Sequence, residues 1–179
     1  MVVTAHTSRT PVATTAALVF TLALTVAAVL AFVTAAPARE VEPSLAGAFL
    51  WLFLGLFFLR VAGQVLVVLR APRWLPPMQQ WNLTPYRFLL PVQAVLLAVM
   101  AWIGHDLSRG RGVFADPAPA AGRTLLWFSY VYAGGMAARY AVRMARRPAE
   151  RWFGGAIPIV FHVVLAAFLF TLGTFHASY

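Results

Sequence analysis

Long unbroken apolar runs, rather than a narrow apolar stripe or strict alternation, organise this chain. Five stretches, at 11–36, 44–69, 85–105, 121–142 and 153–176, are each long enough to cross a membrane. A hydrocarbon core of about 30 Å needs about 20 helical residues at 1.5 Å each. Lipid offers no partners to backbone N–H and C=O groups, so runs of this length predict helices, whereas a membrane barrel requires short alternating segments. The pattern therefore predicts an all-α, polytopic transmembrane bundle of about five spans, with residues 1–179 forming one integral membrane domain. The fourth stretch is the least apolar of the five. The first precedes Ala36, Pro37 and Ala38, which resemble a cleavage site, but its apolar run exceeds the core of a secretory signal and reads as a retained helix.

Composition strengthens this picture. Of 179 residues 61% are hydrophobic and 11% charged, far from the balance of a soluble domain. With no cysteine, disulfides, thiolate metal sites, iron–sulfur clusters and cysteine nucleophiles are excluded. Every basic residue is arginine, and the Arg- and Ala-rich usage fits a GC-rich bacterial genome. The net charge of +9 does not indicate nucleic acid, because the arginines flank apolar runs, where they set membrane orientation. Nine arginines (9, 70, 73, 87, 139, 143, 146, 147 and 151) fall on one side of a five-span arrangement, and four (39, 109, 111 and 123) on the other. The expectation is a bacterial inner-membrane protein with a cytoplasmic N-terminus and an external C-terminus. The proline-rich connection 70–86, with Trp74 and Trp81, reads as an interfacial loop.

Polar residues inside the spans are the candidate site. Arg60 lies ten positions before Arg70, so about 15 Å from the nearer boundary, where a charge costs at least about 2.5 kcal/mol and needs a bundle interior or a wet cavity. Gln64 follows one turn later on the same face. Gln93, Tyr130 and His162 reach similar depth in other spans, with Ser129 and Tyr132 beside them. Pro91 and Pro158 are each expected to free a carbonyl one turn earlier. Every acid lies in a connection or at a span end, so no carboxylate neutralises Arg60 at depth. A carboxylate-based proton or cation pump is disfavoured, and Arg60, Gln64, Gln93, Tyr130 and His162 are instead expected to hold the anionic group of an amphiphilic ligand or lipid.

His162 and His176 are 14 residues apart, which puts them about 40° apart on one helix and about 21 Å apart along it. This spacing resembles that of b-type cytochromes, whose helices carry two haem-ligating histidines. The resemblance implies haem b, or a quinone, held through His105, His162 or His176 in a redox subunit, with His105 opposing His176 near the external boundary. Ala133, Ala137 and Ala141, with Gly134 and Ala138, predict a close helix approach. Arg139, Arg143 and Arg147 form a basic stripe suited to anionic lipid headgroups. No motif supplies a metal site or a catalytic set, so the leading expectation is an accessory or binding protein, with other membrane subunits as possible partners.

Overall fold

In the computed structural model of the protein, residues 12–36, 40–70, 75, 86–146 and 156–179 are described. They form five helices: α1 (Val12–Ala35), α2 (Pro43–Arg70), α3 (Tyr86–Arg109), α4 (Pro119–Arg146) and α5 (Ile157–Ala177). Four of them are long and apolar enough to cross a membrane. The exception is α4, which is long enough but carries Arg123, Arg139, Arg143 and Arg146. It lies antiparallel along α5, with Gly122 against Ala177 at one end and Tyr132 against His162 farther in. The architecture is that of a membrane helical bundle of about five spans. Its outer surface bears large apolar side chains on α1 to α4, including Phe20, Phe58, Phe88 and Trp127, as a lipid-facing surface does, while α5 is the most enclosed helix.

Packing follows from which helices touch. α5 contacts α1, α2 and α4, while α3 docks on α2 alone among the described residues. One core cluster joins Phe32, Leu50, Phe53, Phe57, Met100, Leu107, Val164, Phe168 and Phe175. A smaller one joins Leu18, Val67, Ile157 and Val160 at the other end of the bundle. Dispersion among well-packed side chains, rather than expulsion of apolar groups from water, holds such helices together in lipid.

Two polar clasps fix heights at one end. The Trp51 indole donates to Ser108 Oγ at 3.0 Å, and Ser108 donates to the Gly104 carbonyl, setting α2 against α3. Ser178 Oγ accepts from the Val41 N–H at 2.9 Å and the Tyr179 hydroxyl donates to the Val41 carbonyl, tying the chain's end to the start of α2. At the same end the α3–α4 connection folds over Asp106, whose carboxylate accepts from Phe114 N–H. Gly112, at φ 116°, presses so closely on that carboxylate that a Cβ would collide with it.

Three sequence expectations change. α3 runs one turn beyond His105, to Arg109. Pro158 sits in the first turn of α5, where its missing N–H has no intrahelical partner to lose, so it frees no carbonyl. The small residues of α4 do not make the closest helix approach: Ala137 and Ala141 face outward and a Cβ at Gly134 would meet nothing. That approach is at Gly122 and Gly173, which press on backbone atoms of the facing helix. The connection 70–86 with Trp74 and Trp81, and Arg147 of the basic stripe, lie outside the described residues apart from Arg70, Leu75 and the first residue of α3.

Candidate functional site

Arg60 is buried, at 7% exposure, and Gln64 is fully buried one turn below it. Their i, i+4 spacing lets Arg60 Nη1 donate to Gln64 Oε1 at 3.3 Å. The guanidinium also stands over the Phe161 ring of α5, 5.8 Å from its centroid, a cation–π contact. Arg60 Nε and Gln64 Nε2 have no hydrogen-bond partner. No carboxylate among the described residues pairs with Arg60. The cation is thus only partly satisfied by neutral neighbours, which is costly in a low-dielectric interior.

Across α5, Tyr132 of α4 is hydrogen-bonded to Nδ1 of His162, with the two rings edge to face. The Tyr132 hydroxyl and the His162 ring both lie within electrostatic reach of Arg60, and His162 also within reach of Arg139. Tyr130, the tyrosine expected at the site, instead faces outward at 57% exposure and packs against Phe170. Two residues on a helix turn the side chain by about 200°, so the pair diverge: Tyr132 meets His162 on α5, and Tyr130 lies at the exposed edge of the same contact, away from the Arg60 tier.

Gln93 of α3 is buried with Oε1 unpartnered. The antiparallel register that sets Gly47 beside Ser108 and Trp51 beside Gly104 brings Gln93 level with Ala62, between Arg60 and Gln64 in height. The depth reading of Arg60, Gln64, Gln93 and His162 therefore joins four residues that occupy one tier, with Tyr132 in place of Tyr130.

A groove of about 380 Å³ opens beyond this tier. Its walls are Leu96, Val99, Met100 and Ile103 of α3, Ala121 and Leu125 of α4, and Leu165, Leu169, Leu172 and His176 of α5. The α3–α4 connection closes its end with Phe114 and Asp116. Gln93, Tyr132 and His162 lie seven residues from the groove-lining Met100, Leu125 and Leu169 respectively. Seven residues return nearly to the same helix face, about 10 Å along the axis, so tier and groove share the same faces of three helices.

The histidines do not come together as the haem resemblance requires. His176 is buried, faces the groove and has Nδ1 without a partner. His105 is exposed, nine residues from the groove-lining Leu96 and hence about 180° around α3, and α3 makes no backbone contact with α5. His162 has Nδ1 engaged by Tyr132. Among the described residues no group of three His, Asp or Glu side chains is placed to hold a metal ion. Of the basic stripe, Arg139 is exposed in the last two turns of α4 and Arg143 is half-buried one turn later. Comparison of the chain with described protein families, with curated proteins and with solved structures finds no match.

Proposed function

We propose that this chain is a bacterial inner-membrane binding protein, accessory rather than catalytic, that holds an amphiphilic molecule by an anionic group at Arg60. The observation supporting this reading is a buried guanidinium whose Nε has no partner and which no carboxylate neutralises among the described residues. A carboxylate or phosphate oxygen is the partner that a guanidinium fork accepts best, and binding one removes the cost of the lone charge. Gln64 Nε2 offers a second donor beside it, while the hydrogen-bonded Tyr132–His162 pair supplies a further polar wall. α2 and α4 flank α5 without touching each other, which leaves a lateral approach to this tier among the described residues. Arg139 and Arg143, on the same helix as Tyr132 and with Arg147 after them in the sequence, would attract anionic lipid headgroups. Membrane lipid is the proposed partner, and nucleic acid is not.

The arginine asymmetry supports an orientation with the N-terminus in the cytoplasm and the C-terminus outside. Reporter fusions at both ends check this orientation, and activity of both reporters on one side contradicts it. For the ligand, native mass spectrometry of protein released from micelles containing phosphatidylglycerol, cardiolipin or palmitate is the test. Wild type retains one anionic molecule and Arg60→Met loses it, whereas equal retention by the two proteins overturns the assignment.

A further inference from the structure

At the far end of the groove from Arg60, another buried polar group lacks a partner among the described residues. His176 is 5% exposed, lines the groove and leaves Nδ1 buried without a hydrogen bond. A neutral imidazole nitrogen donates to a carbonyl or accepts from a hydroxyl according to its tautomer, so an unused Nδ1 in an apolar wall is matched to the head of a ligand, not to its chain. Asp116 lines the same end. Its carboxylate repels an anionic head and accepts from a hydroxyl. Phe114 and Phe168 line the groove as well, with the Trp102 ring edge to face with Phe114, giving flat apolar surfaces for a ring. The remaining walls are aliphatic.

We infer that this groove binds a lipid-soluble quinone or quinol, its ring head hydrogen-bonded to His176 and its apolar tail running between α3 and α4 toward the middle of the bundle. The head then lies at the end of α5, near the membrane boundary, and the tail at depth, as the bilayer itself orients such a molecule. α3 and α4 form opposite walls with no close backbone approach among the described residues, so the ligand enters sideways from lipid. The volume of about 380 Å³ lies in the range of small-molecule sites and suits the ring with the first part of its tail. This site is independent of the anion site: it uses a different polar group, and its occupant is uncharged.

Binding of decylubiquinone to the full-length protein in nanodiscs, read by quenching of tryptophan fluorescence, tests the inference. A photoreactive azidoquinone maps the contact. Saturable quenching is expected, with crosslinks on residues 113–118 and 172–176. His176→Leu should weaken binding roughly tenfold, as loss of one hydrogen bond in an apolar site does, and His176→Gln should restore part of it. Leu169→Trp, which fills the groove, should abolish binding, and Arg60→Met should leave it unchanged. If Leu169→Trp abolishes binding but His176→Leu does not alter it, the groove holds only an apolar chain and the head assignment is overturned. Quenching that no groove substitution changes, with crosslinks elsewhere, removes the site altogether. Loss of quinone binding in Arg60→Met would merge the two sites and likewise contradict the inference, whereas failure of the anion reading leaves these outcomes untouched.

Discussion

At the scale of single residues, the informative signal was depth. Counting rises from a span boundary was enough to place Arg60, Gln64, Gln93 and His162 at one height, because an α-helix converts position into distance at a fixed 1.5 Å per residue. Rotation about the axis was harder to read. Tyr130 and Tyr132 stand at nearly the same depth in the fourth span, and nothing in a stretch with no sharp polar face says which one looks inward. The structure turns Tyr132 to His162 and leaves Tyr130 outside. Depth likewise put His105 and His176 at one boundary, but rotation sets His105 on the opposite face of α3 from the groove.

At the scale of elements, the five apolar runs fixed the number and order of the helices, with boundaries displaced by up to four residues. Helix contacts were less legible. The Gly and Ala positions of α4 at four-residue spacing fit a close approach, yet a Cβ at Gly134 meets nothing. A Cβ at Gly122 would collide with the Ala177 backbone nitrogen. Small residues permit contact but do not select which of several small sites is used, and the choice rests on where the chain's end is clasped to Val41. These two glycines therefore respond in opposite ways. Gly122→Ala should destabilise the protein by about 1–3 kcal/mol, since backbone atoms of α5 must shift to admit the methyl group. Gly134→Ala should stabilise it by roughly 0.5–1 kcal/mol through helix propensity alone. Thermal unfolding in detergent checks both, and equal shifts for the two variants would show that α4 and α5 are not closely apposed at Gly122.

At the scale of the whole molecule, the fold leaves buried polar groups unmatched among the described residues, and the Arg60 tier and His176 stand at different heights of the bundle. α5 is the axis, α2 and α4 flank it, and α3 leans from α2 toward α4 without reaching it. The result is a cation tier in the middle of the bundle and an apolar groove leading from it to His176. Most of the sequence was explained by the need to fill lipid and core with apolar side chains. What it leaves unexplained is the retention of a buried arginine where a methionine or leucine would pack at lower cost. The account rests on that arginine having an anionic partner in the membrane. The most direct measurement is thermal stability of wild type and Arg60→Met, each in nanodiscs of neutral lipid and again after addition of phosphatidylglycerol or palmitate. In neutral lipid Arg60→Met should melt at the higher temperature, because it removes an unpaired charge. The anionic amphiphile should then raise the melting temperature of wild type in a concentration-dependent way and leave the variant unmoved. A variant less stable than wild type in neutral lipid, with both proteins shifting alike on addition of the amphiphile, would contradict the account and make Arg60 a structural residue satisfied by Gln64 and Phe161 alone.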